Sequence, residues 1–319
     1  MDKQTTPALD RETLPRVTVF ARHETFHPRF GWLKKGFDSA SHNPGIFLAE
    51  TAPVQLGVGK NMVRSIRYWC NAFKLLAEDR PTDFGRDLLA PEGWDPYLED
   101  PASLWLLHWQ LLQPPCTATA WDFTFNTFNR VDFTYEDLLY ALGEYRDRTA
   151  IRIADSSIKK DVSCILRTYA GQNTAGQNTA GQNTKSSASE DSLDCPFTEL
   201  RLIQTAGDSR HYSFRVGPKQ NLPAEIIAYA ALVFAHRTYP TARTIPIANL
   251  LYDVGSPGLI FRLTESALCD AIETARDPFR ELSLRDAAGK MQLSFQADDL
   301  EDLALDILKN YYDERSLAA

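Results

Sequence analysis

Between Pro53 and Leu76 the chain carries two stripes of opposite character at helical spacing. Met62, Ile66, Trp69, Phe73 and Leu76 recur at intervals of three and four, the repeat of one helix face. Lys60, Arg64, Arg67, Asn71 and Lys74 recur in the same way two positions out of phase, about 200° around the axis. The pattern predicts a helix over 60–76 with one face for a core and the other for an anion. Val54 to Gly59 reads as a short helix end and a glycine turn. The sum is a helix-turn-helix, whose second helix enters the major groove of DNA. A plain amphipathic helix with a solvated basic face shows the same stripes.

Other elements follow from local signals. Arg16 to Phe20 alternates briefly like a strand. Asp100 is a good N-cap and Pro101 a good first residue for a helix that Pro114-Pro115 must end. Trp121 to Val131 alternates aromatic and polar residues, which predicts a strand or extended loop. Thr134 to Asp137 resembles a capping box. It precedes one helix, and a second over 157–169 buries Ile158, Val162, Ile165 and Tyr169, with Lys159, Lys160, Ser163 and Arg167 outward. This pair reads as a second helix-turn-helix. Further on, Arg210 to Val216 alternates, 222–237 is an apolar helix, and Gly255 to Gly258 is a turn. Thr264 caps a helix, and 298–311 is an acidic amphipathic helix. The expected fold is mainly α with short β-ribbons, in tandem helix-turn-helix or winged-helix units.

Three perfect copies of Ala-Gly-Gln-Asn-Thr fill 170–184 and offer no large apolar side chain to a core. They mark the best boundary in the chain. The expected domains are an N-terminal helix-turn-helix domain at 1–115, a helical middle region at 116–169, a flexible loop at 170–194, and a winged-helix-like domain with an acidic end at 195–319.

Length, 319 residues, allows two or three cores. Hydrophobic content of 44% and charged content of 24% are ordinary for a globular protein, and no apolar run spans a membrane. Met1 to Thr6 shows no apolar signal region, so a cytoplasmic location is expected. Five scattered cysteines form no C-x-x-C pair, which argues for reduced thiols. Net charge is −8, yet 20–80 holds nine Lys and Arg against five Asp and Glu, and 261–319 holds seven against thirteen. Local field steers a polyanion, so the basic segment keeps DNA as the expected partner.

Four segments, taken in order, resemble a known bacterial family: His23 to Gly36 (HETFHPRFGWLKKG), Leu56 to Val63 (LGVGKNMV) with Ile66 to Trp69, Asp95 to Pro101 (DPYLEDP), and Leu104 to Trp109 (LWLLHW). This is the SspB-like family, a domain of unknown function found beside DNA phosphorothioation genes and linked to phage defence. The resemblance implies a magnesium-dependent DNA-nicking protein that opens one strand for sulfur insertion by other subunits of a phosphorothioation system. The alternative is a non-catalytic DNA-binding adaptor that recognises the site and recruits the modifying enzymes.

Two constellations are candidates for the chemistry. His23 and Glu24, flanked by Arg22, Arg29, Lys34 and Lys35, supply a base, a carboxylate and cations within fourteen residues, the types that phosphodiester cleavage needs. They serve equally well as a polar cap on the fold. Asp95, Glu99 and Asp100 put three carboxylates in six residues, and Mg²⁺ prefers oxygen ligands; Asp100 as N-cap and Asp95-Pro96 as a turn account for the same residues. His108, among large apolar neighbours, reads as a core histidine. DNA contacts are assigned to Arg22, Arg29, Lys34, Lys35, Lys60 and Asn61, and to Arg64, Arg67 and Lys74. Gly57 to Lys60 fails both the phosphate-loop and dinucleotide patterns, because Val54, Asn61 and Met62 stand where those need other residues. No nucleotide cofactor is expected, and no membrane partner.

Overall fold

The computed structural model describes residues 18–170, 195–205, 210–297 and 299–318. Its described residues form mostly α-helices with three small antiparallel sheets. They fall into two compact units, one ending at Val216 and one beginning at Gly217. The boundaries expected at 115 and 194 therefore lie inside the first unit. The reason is visible at the edges of the repeat segment, where the Cys195 thiol donates to the Thr168 carbonyl at 3.5 Å. The chain leaves and rejoins the same core. Residues 171–194, which hold nearly all of the repeat, lie outside the described set.

The first unit opens with α1 (Trp32–His42), α2 (Ala52–Leu56) and α3 (Lys60–Ala72). Gly57, at φ 64°, ends α2 in the left-handed conformation that glycine adopts freely. Gly36 lets α1 and α3 approach closely, since a Cβ there would stand 2.5 Å from Cys70 Sγ. The helix expected over 60–76 stops at Ala72. Lys74 turns left-handed at φ 60°, and β1 (Leu76–Ala77) pairs with β2 (Arg80–Pro81) across Glu78 and Asp79, both also left-handed.

After α4 (Asp83–Leu89) comes α5 (Pro101–Leu112), capped by the Asp100 side chain on Ala102 N–H. Trp121 to Val131 is not a strand: Thr119–Asn126 forms α6. Trp121, Phe123, Thr124 and Phe125 are all buried, so this helix has core on most of its circumference and leaves no helical polarity repeat to read. Arg16 and Val17 lie outside the described residues, and Thr18 to Phe20 is not a strand. β3 (Asp132–Thr134) leads into α7 (Tyr135–Arg148) through the Thr134–Asp137 capping box, then α8 (Asp155–Tyr169). β4 (Ile203–Thr205) and β5 (His211–Phe214) complete a sheet in the order β3-β5-β4.

The second unit repeats that plan. A buried helix, α9 (Ala224–Thr238), is followed by β6 (Thr244–Pro246), α10 (Ile247–Tyr252) and α11 (Pro257–Phe261). Pro257 and Gly258 thus belong to a short helix rather than a turn. Then come α12 (Glu265–Arg276), capped by Thr264, a hairpin of β7 (Leu282–Ala287) and β8 (Lys290–Phe295), and α13 (Leu300–Ala318). The sheet order is β6-β8-β7. Ala288 and Gly289, both left-handed, make the two-residue hairpin turn. No helix among the described residues is long and apolar enough to cross a membrane.

Gly36→Ala places its new methyl against Cys70 Sγ and Ile66 Cγ2. Overpacking of this kind costs about 1–3 kcal/mol. Urea unfolding should show that loss, and the double variant with Cys70→Ala should recover part of it.

Candidate nucleic-acid cleft

Residues 21–25 form a tight loop with three non-glycine residues at positive φ: Ala21 at 54°, Glu24 at 51° and Thr25 at 70°. Such conformations persist only where surrounding contacts over-determine them. Here Asp161 on α8 accepts from the Ala21 N–H at 3.0 Å and from His23 Nε2 at 2.6 Å. Arg167 donates to the Thr25 carbonyl, and the Trp69 indole to the Phe26 carbonyl at 3.0 Å. The His23 ring stacks on Trp69 at 6.0 Å and meets Trp121 edge-on at 5.6 Å.

Burial works against a charged imidazole at 23, but the neighbouring Cys164 and the bond to Asp161 outweigh it and lift His23 from its usual 6.5 to about 9. Burial raises the Asp161 carboxyl, opposed by the same bond to His23. His23 is fully buried, so it anchors the loop and does not meet solvent. Its partner is the Asp161 carboxylate rather than the backbone.

The loop presents its next-door residues, Arg22 and Glu24, to a cleft of about 960 Å³. One wall is α3, with Lys60, Arg64, Arg67 and Tyr68. The segment from Phe47 to Pro53 and the residues Glu78 and Asp79 also line the cleft. Glu24 Oε1 lies 3.7 Å from the Arg64 guanidinium, both partly exposed. Arg67 grips Asp79 with two contacts of 2.8 and 2.7 Å, and Asn71 donates to Asp79 and to the Arg67 carbonyl. The cations most open to a ligand are therefore Arg22, Lys60 and Arg64.

The structure thus brings Arg22, Glu24, Lys60, Arg64 and Arg67 together, from two separate stretches of chain. Asn61 is exposed on the first turn of α3 but does not line the cleft. The remaining cations are spent elsewhere. Arg29 lies over the Phe26 and Trp32 rings, Lys34 donates to Asp38 and the Leu89 carbonyl, Lys35 to the Leu56 carbonyl, and Lys74 to the Gln110 carbonyl.

Asp95, Glu99 and Asp100 do not form a metal cage. The buried Asp95 carboxylate accepts from the Glu99 and Asp100 N–H groups, each at 2.9 Å, and from the Ser103 hydroxyl at 2.7 Å, while Asp100 caps α5. Backbone donors have taken the oxygens a cation would need. Among the described residues no three His, Cys, Asp or Glu side chains cluster to hold a metal. His108 is a core histidine, bonded through Nδ1 to the Tyr169 hydroxyl at 2.8 Å.

Sequence reasoning missed Asp161 and the Phe47–Pro53 wall. Asp161 had a signal: it falls on the apolar face of α8 between Ile158 and Val162, where an unpaired carboxylate is costly.

A family model described as a protein of unknown function, DUF4007, matches residues 20–312. The magnesium ion-bound SspB crystal structure is 39% identical, covering 92% of this chain and 88% of that one with a TM-score of 0.81. A second SspB crystal structure is 40% identical over the same shares, with a TM-score of 0.80. No curated protein matches the chain.

The raised His23 group gives a pH signature. Its contribution to stability is fully present below about pH 6.5 and is lost as pH rises through about 9. Urea unfolding of the native protein should weaken across that window, and Asp161→Asn should flatten the decline. Asp161→Ala, which strands a buried imidazolium, should cost about 3–5 kcal/mol near pH 6.

Proposed function

The chain belongs to the DUF4007 family and is SspB-like along its length, and on that premise we propose that it is a magnesium-dependent DNA-nicking subunit of a phosphorothioation system. In this reading it opens one strand so that partner subunits can insert sulfur, and the modified DNA serves defence against phage. One observation carries the DNA-handling part: the cleft sets Glu24 3.7 Å from Arg64, with Arg22 and Lys60 beside them. A carboxylate among open cations is the donor set that a phosphodiester and a divalent ion need together.

Topology supports the same reading. In each of two segments, 132–214 and 244–295, a strand, two or three helices and a hairpin follow in order, and the first strand pairs with the hairpin's second. That order is the plan of a winged-helix module, and α2, the Gly57 turn and α3 fit a helix-turn-helix. Tandem modules of this kind suit a protein that must hold duplex DNA.

The SspB relative binds magnesium. In this chain Glu24 on the cleft would hold such an ion, since Mg²⁺ takes one or two carboxylates and completes its shell with waters and phosphate oxygens. Bound there, the ion would polarise a phosphoryl oxygen and lower the pKa of its water. Arg64 and Lys60 orient the phosphodiester, and the His23–Asp161 anchor keeps Glu24 facing it. Asp95 and Asp100 have no part in this chemistry. The alternative is a non-catalytic adaptor that binds DNA through the same cleft cations.

A supercoiled plasmid assay decides between them. Magnesium-dependent conversion to open circle supports the nickase, and binding without conversion supports the adaptor. Glu24→Ala should lower nicking about 100-fold while leaving duplex affinity within about threefold. Asp95→Ala should instead lower the melting temperature, because it strips a buried acceptor from three donors. Undiminished nicking by Glu24→Ala, with contaminating nuclease excluded, overturns the placement.

A further inference from the structure

The shape of the cleft along α3 restricts the form of DNA that enters it. A helix that reads the major groove presents its side chains on a convex surface. Lys60, Arg64 and Arg67 line a concavity instead, of about 960 Å³. That volume matches small-molecule sites and is too small to admit a duplex.

The two sides of the cleft differ in chemistry. The 47–53 segment lines the cleft with Phe47, Leu48, Ala49, Ala52 and Pro53, interrupted by the carboxylate of Glu50, and Leu48 is 71% exposed there. A bare phosphate has no use for that wall, and an apolar ligand has none for Arg22, Lys60 and Arg64. A nucleotide uses both: its phosphate meets the cations and its base lies on the aliphatic wall. The carboxylates of Glu24, Glu50 and Glu78 add acceptors of the kind that take amino groups on base edges.

We infer that the cleft receives one unpaired nucleotide drawn out of the DNA helix, an inference that rests on the DNA-handling reading above. Enzymes that act on a single nucleotide meet the cost of extruding it, a few kcal/mol, with a pocket that stacks the base and holds its edge. The cleft has both elements.

The test compares two fluorescently labelled duplexes of one sequence, fully paired or carrying a single bulged nucleotide, titrated with the full chain. The bulged duplex removes the extrusion cost, so it should bind about tenfold more tightly. Ala49→Trp, which fills the cleft from its apolar wall, should abolish that preference. Leu48→Ala should shrink it. Equal affinity of the native protein for the two duplexes overturns the inference and leaves the DNA-handling reading standing. So does a full preference retained by Ala49→Trp with a native melting temperature, or by Leu48→Ala should the tryptophan variant unfold. No binding to either duplex refutes the DNA-handling reading itself, and the inference with it.

Discussion

The cleft depends on one buried contact, the 2.6 Å bond between His23 Nε2 and Asp161. It joins residues 138 positions apart and fixes a loop that holds three left-handed residues among its five. A single carboxylate oxygen receives both the Ala21 N–H and the imidazole, so loop backbone and loop side chain are held by the same atom. The surrounding indoles exclude water from this bond, and in that low-dielectric setting a charge-assisted hydrogen bond is stronger and less forgiving than at the surface. Arg22 and Glu24, on either side of His23, owe their placement to it.

Charge in the cleft is balanced locally rather than simply positive. Arg67 is committed to Asp79, and Asn71 to the same carboxylate, so the hairpin after α3 disarms the inner half of the basic stripe. Arg64 keeps only a long contact to Glu24, and Lys60 stays exposed. A gradient results along one helix, from bound cations at its C-terminal end to open ones at its N-terminal end. The N-terminal end is also where the helix dipole adds partial positive charge for a polyanion.

Capping residues were the most legible part of the fold. Asp100, Pro101, Thr134 and Asp137 do in the structure what their chemistry requires, because capping is settled within four residues of chain. Of the basic stripe, Lys60, Arg64 and Arg67 reach the cleft and Lys74 does not. Spacing assigns a helix face but carries no information about the carbonyl of Gln110 that claims the Lys74 ammonium. Lys34 and Lys35 drop out for the same reason, each bonded to a carbonyl of a different helix. The carboxylates at 95–100 looked like ligands because a cap and a metal site draw on the same residue types. α6 was misread since burial on most of its circumference erases the polar repeat that distinguishes helix from strand.

The return of the chain at Cys195 to the carbonyl of Thr168 has a consequence for chain length. Whatever lies between those residues begins and ends at one place in the core, so its length enters no distance between described elements. Each gain or loss of one Ala-Gly-Gln-Asn-Thr copy changes the chain by five residues. The entropy of closing an excursion grows only with the logarithm of its length, so one copy more or fewer shifts stability by roughly a few tenths of a kcal/mol. A change in copy number there leaves both ends of the excursion, Thr168 and Cys195, at the same place in the core.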